Sequence, residues 1–181
     1  VESREVFHEK DQVLKAGGIE KGMVVADIGA GTGLYSRLFA EAVGPDGWVA
    51  SVDISGAFLK HIVARAEQEG QKNITAVLSP ENSVSLPPNS VDVAFICDTY
   101  HHFEYPKGTM QSLVKALKKG GTVVVIDFER IEGVSREWLL GHVRAGKEVF
   151  RKEIEDAGLT FVEELKIDGF KENYFLRFRK D

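Results

Sequence analysis

One cysteine, Cys97, is all the chain has, so no intramolecular disulfide can close and a thiol-only metal site is excluded. Cys97 stands in an apolar run and is expected to be buried. No stretch approaches the roughly 20 apolar residues that cross a bilayer, so no membrane association is expected. Internal repeats and low-complexity tails are lacking. So is an excess of basic charge: 23 Lys and Arg stand against 28 Asp and Glu, a formal net charge of -5. Proteins that bind nucleic acid usually present a basic patch that releases counterions from phosphates, which disfavours RNA and DNA as substrates. The short basic stretch Arg177, Arg179, Lys180 alternates with Phe178 and reads as a solvated strand end.

What is present is an ordinary globular composition, 43% hydrophobic and 28% charged, over 181 residues, a length suited to one domain. Met23 to Ala26 is a continuous apolar run, as in a strand buried on both faces of a parallel sheet. It leads into Asp27-Ile28-Gly29-Ala30-Gly31-Thr32-Gly33, after which Leu34, Leu38 and Ala42 fall on one side of a helix reaching Val43. The unit then repeats. Trp48 to Val52 reads as a strand ending at Asp53, Ser55 as an N-cap, and Ala57 to Gln68 as a helix stopped by Gly70. Further strands are expected at Ile74 to Leu78, Val91 to Cys97 and Thr122 to Phe128, with a helix from Met110 to Leu117.

A short helix carrying Phe7, Val13 and Leu14 precedes Gly17-Gly18. At the other end, Glu148 to Ala157 forms a helix, followed by strands Leu159 to Ile167 and Asn173 to Phe178. The connection between these two strands is too short for a parallel crossover, so they pair antiparallel. The whole pattern specifies an α/β fold, a doubly wound Rossmann-like sheet of seven mostly parallel strands with a C-terminal antiparallel pair.

Gly29-x-Gly31-x-Gly33 follows a buried strand and opens a helix, the setting in which glycine lets backbone approach a ligand closely. Asp53, at the end of the second strand, is placed to accept both ribose hydroxyls of a nucleoside cofactor. A dinucleotide site would instead show Gly-x-Gly-x-x-Gly and seat a pyrophosphate on the helix N-terminus. Here the loop has no basic residue and no Gly-Lys-Ser/Thr ending, and Asp27 leads into the turn. That acid repels a pyrophosphate and suits the ammonium of an amino-acid tail. The glycine spacing, Asp27 and the terminal strand pair all oppose a nicotinamide-dependent oxidoreductase.

Four segments carry a resemblance: VVADIGAGTG at Val24 to Gly33, SVDIS at Ser51 to Ser55, LPPNSVDVAFICDTYHHF at Leu86 to Phe103, and ALKKGGTVVVIDF at Ala116 to Phe128. Together they resemble the class I S-adenosylmethionine-dependent methyltransferases, in particular the small bacterial domains of methyltransferase type 11 and type 25. The resemblance implies S-adenosylmethionine as cofactor. Its methionine moiety would lie against Asp27 and the backbone of Gly29, Ala30, Gly31 and Gly33, with Asp98 closing over that end. Its ribose would sit on Asp53, with Ile54 beneath the adenine and Glu81 or Asn82 reaching the adenine amino group. Ser79-Pro80-Glu81-Asn82-Ser83 departs from the commoner Gly-Asp-Ala pattern of the family at that loop.

The resemblance further implies transfer of the methyl group to a small-molecule acceptor with an O, N or S nucleophile. The tip of the fourth strand lacks Asn-Pro-Pro-Tyr, the motif of adenine or glutamine amino methylation, and Cys97 alone does not match cytosine or arsenite methyltransferases. The other reading is a non-catalytic S-adenosylmethionine-binding module with its acceptor pocket shut. Tyr100, His101 and His142 are the candidate catalytic groups, since each can bond or deprotonate an acceptor near the C-terminal strand ends. Arg144 is a further candidate for acceptor contact. The contiguous spacing of His101, His102 and Glu104 is poor for convergent ligands, so no metal site is expected.

The expected organisation is one methyltransferase domain over 1–181, with a helical lid at 1–20 and an acceptor-side segment at 129–147. A monomer or homodimer is expected, in the cytoplasm, or in the periplasm if a leader was removed before Val1.

Overall fold

Among the described residues, 3–181 of this computed structural model, seven strands form one sheet. They are β1 (Val24–Ile28), β2 (Trp48–Asp53), β3 (Ile74–Leu78), β4 (Val91–Cys97), β5 (Leu117–Phe128), β6 (Thr160–Leu165) and β7 (Asn173–Arg179), in the order β3-β2-β1-β4-β5-β7-β6. The first five run parallel to one another, and β7 runs antiparallel to both β5 and β6. This is the expected Rossmann-like sheet with its C-terminal antiparallel pair. The strand order reverses between β1 and β4, which opens a crevice at their C-terminal ends.

Alternation along β1 sends its side chains to two different cores. Val25 joins Val13, Tyr35, Phe39 and Phe95 on the face covered by α1 (Arg4–His8), α2 (Lys10–Ala16) and α3 (Leu34–Val43). Leu59 and Ile62 of α4 (Gly56–Gln68) pack beneath Ala30. Ala26 and Ile28 join the opposite core, where α5 (Pro106–Ala116), α6 (Glu137–His142) and α7 (Lys147–Asp156) supply Met110, Leu113, Leu139, Phe150 and Ile154. Each large side chain fully buried in these cores stabilises the fold by about 1.5–3 kcal/mol relative to exposure.

Boundaries move where local chemistry outweighs periodicity. α5 begins at Pro106, a turn ahead of Met110, because proline at the first helical position gives up an N–H that has no partner there anyway. β5 begins at Leu117, ahead of the expected Thr122: the Gly120 N–H donates to the Lys180 carbonyl and the Lys180 N–H to the Gly121 carbonyl. α6 lies in the segment expected on the acceptor side, 129–147, for which no helix is read: six residues with one buried side chain, Leu139, leave no period to detect. The segment expected as a lid includes Val1 and Glu2, which lie outside the described residues. From Ser3 onward it is clasped to the sheet: the Glu5 carboxylate accepts from the backbone of Glu172 and Asn173, and Tyr35 donates to the Val6 carbonyl. Among the described residues, no helix is long and apolar enough to cross a membrane.

Candidate active site

The glycine turn is held by the carboxylate at the end of the next strand. Asp53 accepts from the Gly31 N–H at 2.9 Å and from the Ser55 N–H at 2.8 Å, so it both shapes the turn and caps the approach to α4. Gly29, Gly31 and Gly33 all have positive φ, a conformation that costs an L-residue energy. A Cβ on Gly29 would collide with the Thr99 side chain, and one on Gly33 would meet Ile62 Cγ1 at 2.6 Å. Gly29 therefore allows strand ends to approach each other, and Gly33 allows α4 to pack under the turn.

A cavity of about 310 Å³ opens beside this turn. Six of the residues expected to bind cofactor lie on its wall: Gly29, Gly31, Asp53, Ile54, Glu81 and Asp98. Four others do not. Asp27 faces α3, because strand alternation turns it away from Ile28 on the cavity side; its carboxylate accepts from Ser36 at 2.6 Å, and Ser36 accepts from Ser51 at 2.7 Å. This corrects the expectation that Asp27 meets the cofactor's ammonium: it ties β1, β2 and α3 together inside the core. Ala30 is buried against α4, Gly33 caps α3, and the Asn82 backbone lies against Gly108 at the start of α5.

Asp98, unlike Asp27, reaches the cavity. It is on the cavity wall at the tip of β4, accepting from the Ser3 backbone and from Asn173 Nδ2, the latter at 2.8 Å. Burial pushes its carboxyl up to about 6, against the lowering effect of the Ser3 N–H.

At the other side of the β4 tip, Tyr100–His102 form a 3₁₀ turn. Tyr100 is fully buried, packed on Phe103 and Phe150, and donates to Glu153 at 3.1 Å. Burial first, and then the Glu153 charge, push its phenol up, so it is a core residue and the expectation of a catalytic Tyr100 is corrected. Arg144 grips Glu153 with both terminal nitrogens, at 2.8 and 2.7 Å.

His101 and His142 do come together, and His102 packs against both. Ring centroids lie 4.1 Å apart for His101 and His102, 5.1 Å for His101 and His142, and 5.0 Å for His102 and His142. Trp138 stacks on His142 at 4.6 Å. His101 is buried, and its Nδ1 lies 2.7 Å from Asp127 Oδ1. Asp127 also accepts from the backbone of His101 and Phe128, so Nδ1 is the donor and, in the neutral ring, Nε2 keeps a lone pair. His102 is on the cavity wall, with its pKa lowered by burial and then by the neighbouring imidazoles. Sequence reasoning missed Asp127, although one signal was available: a carboxylate inside the apolar run of β5 must be paired to be tolerated.

Residues 19–178 match the family described as a methyltransferase domain. The chain belongs to that family. It is 30% identical over 118 residues to the ubiquinone/menaquinone biosynthesis C-methyltransferase UbiE of Ectopseudomonas mendocina, a match covering 65% of this chain and 46% of that protein. The chain thus matches less than half the length of that relative. A SAM-dependent methyltransferase from Aquifex aeolicus superposes with a TM-score of 0.79 at 25% identity, covering 98% of this chain and 94% of the other. Phosphoethanolamine N-methyltransferase 2 of Haemonchus contortus, in complex with S-adenosyl-L-methionine, shares the fold at TM-score 0.80 and 18% identity, covering 96% of this chain and 52% of the other.

The domain is a class I methyltransferase and S-adenosylmethionine is its cofactor. The cavity residues suit that molecule. Apolar Ile54 and Phe58 offer a surface for a purine, Asp53 a hydroxyl acceptor, and Asp98 an anion for a cationic tail, in a volume typical of ligand pockets, about 300–1,000 Å³.

Proposed function

We propose that this domain methylates a small-molecule acceptor whose nucleophile sits at the imidazole cluster of His101, His102 and His142. The observation that carries the reading is the convergence of these rings beside the cavity, one of them backed by the buried Asp127 and another on the cavity wall. Asp53 and the turn at Gly29 and Gly31 would hold the cofactor's nucleoside, and Asp98 its cationic end. When bound, S-adenosylmethionine supplies a methyl group on an already activated sulfonium leaving group. The protein then has to position the nucleophile in line, exclude water and relieve the nucleophile of a proton.

Each element of the cluster serves one of those tasks. His102 lies between the cavity and the other two rings, and its lowered pKa keeps it neutral and able to accept a proton. The Asp127–His101 pair fixes a ring orientation and supports positive charge if a proton arrives. Trp138 and Phe128 give the acceptor side an apolar, aromatic lining suited to a flat molecule. The C-methyltransferase relatives add carbon to the O, N and S nucleophiles already expected, since an acidic hydroxyl on an acceptor ring activates a ring carbon when it loses its proton. A cytoplasmic setting accompanies this reading.

The test is a screen of small hydroxylated aromatics, amines and thiols with methyl-labelled S-adenosylmethionine. Transfer of label by the parent and its loss in His102→Ala support the proposal. Tight cofactor binding with no transfer to any of these classes would favour a non-catalytic S-adenosylmethionine-binding module.

A further inference from the structure

We propose that His101, His102 and His142 bind a divalent transition-metal ion, with Asp127 as the carboxylate that orients the buried ligand. The candidate nitrogens of the three rings all lie within 4.8 Å of one another. Two come from the turn after β4 and one from the end of α6, so the convergence is made by tertiary packing. Glu104, the group that completed the contiguous set in the sequence, is replaced by His142.

The second observation is an orphaned atom. His101 Nε2 is buried without a hydrogen-bond partner, on a side chain only 1% exposed. A buried polar atom without a partner is costly, and a cation removes that cost by accepting its lone pair. The Nδ1–H to Asp127 bond leaves Nε2 as the ring's available ligand atom: a carboxylate behind an imidazole, the usual support for metal-bound histidine. Asp127 is in turn held by two backbone N–H groups, so the support is rigid.

Three neutral imidazoles select zinc, copper, iron or nickel over magnesium or calcium, which prefer oxygen. Three protein ligands also leave a coordination position open, as in catalytic rather than structural zinc sites. With bonds of about 2.0–2.1 Å in tetrahedral geometry, the nitrogens would stand roughly 3.4 Å apart. Closing to that distance needs only small ring movements of His102 and His142, which are exposed, while His101 stays fixed. The open position is where an acceptor oxygen, nitrogen or sulfur would bind, its proton then leaving to solvent because His102, once a ligand, no longer has a lone pair to accept it. That last step rests on the acceptor reading above; occupancy of the site does not.

The test uses the whole protein, stripped with chelator and titrated with Zn²⁺ by calorimetry and with Co²⁺ by visible absorption. The expected result is one equivalent bound, with the ligand-field bands of a four-coordinate cobalt site that Zn²⁺ bleaches. Asp127→Asn should weaken binding by about 10–100-fold, and His142→Ala, an exposed position that leaves folding intact, by more than that. His61→Ala, on the exposed face of α4, should bind as the parent does. Absence of stoichiometric binding at micromolar metal, or binding that survives His142→Ala, would overturn the site. Metal bound as expected while chelation leaves methyl transfer unchanged would instead overturn the cluster's part in handling the acceptor.

Discussion

Gly29, Gly31, Asp53 and Ile54 stand in a single strand-helix-strand unit, and the bond from Gly31 to Asp53 joins the two ends of that unit. His101, His102, Asp127 and His142 come instead from the tip of β4, the end of β5 and the end of α6, and meet only when the sheet and its last helices are packed. On the proposed reading the two halves would grip their ligands by different means. At the cofactor end backbone would do most of the holding, and backbone in the left-handed region demands glycine. At the acceptor end side chains would do the holding, and any segment that delivers an imidazole would serve. A backbone site therefore leaves a spaced motif in the sequence, and a side-chain site assembled from separate segments leaves almost none.

The sharpest way to separate the halves is a change in one that leaves the other untouched. His142→Ala should bind S-adenosylmethionine within about twofold of the parent by calorimetry, while turnover on an identified acceptor falls roughly 10²–10⁴-fold, the range for loss of proton-transfer assistance. A parallel loss of cofactor affinity would merge the two halves into one site. The converse change is Gly29→Ala. Positive φ and the clash with Thr99 both penalise it, so cofactor affinity should fall by about 100-fold and the melting temperature should drop as well. Normal cofactor binding by a folded Gly29→Ala protein would deny the turn its place at the site.

Asp53→Ala should weaken cofactor binding by at least about tenfold, since charge-assisted bonds to hydroxyls contribute roughly 1.5–3 kcal/mol or less each. It also frees two backbone N–H groups, so a modest loss of thermal stability should accompany it. Unchanged affinity would leave Asp53 a turn-holding residue alone.

The smallest effect is a pH dependence at the seam between the halves. The folded-state pKa of Asp98, about 6, lies above its ordinary 3.8, so ionisation opposes folding. Its contribution to stability is full below about pH 4 and is lost as pH rises through 6, a change on the order of 3 kcal/mol at most. Cofactor affinity should move the other way, rising severalfold between pH 5 and 7 as the anion forms beside a cationic ligand. Asp98→Asn, acceptable at this positive φ of 49°, should flatten both profiles. Profiles identical in parent and variant would remove Asp98 from the cofactor's surroundings.

Much of this molecule was legible from residue order. β3 and β4 fall at their expected bounds, and Ser55 caps α4 as its side chain suggested. The site expectations fared unevenly for a physical reason. Asp27 was read by its nearness to the glycine turn, but nearness along a strand does not fix facing, and the period of two sends it to the far side of the sheet. Tyr100 is read by its hydroxyl and its place at the tip of the fourth strand, and one position along a 3₁₀ turn is enough to place it in the core with Glu153. His142 is named for its imidazole in the segment after the fifth strand, with no helix assigned beneath it, and α6 is too short to announce itself.

What the sequence determined by itself is whatever is enforced over a few residues: a parallel sheet from continuous apolar runs, an antiparallel ending from a short connection, a cofactor turn from glycines that no other residue replaces without strain. Tertiary structure decided the rest. Which of two neighbouring carboxylates meets the cavity, which of three histidines is buried against Asp127, and that all three rings converge depend on distances between segments far apart in the chain. Packing of whole layers sets those distances, so no local spacing encodes them.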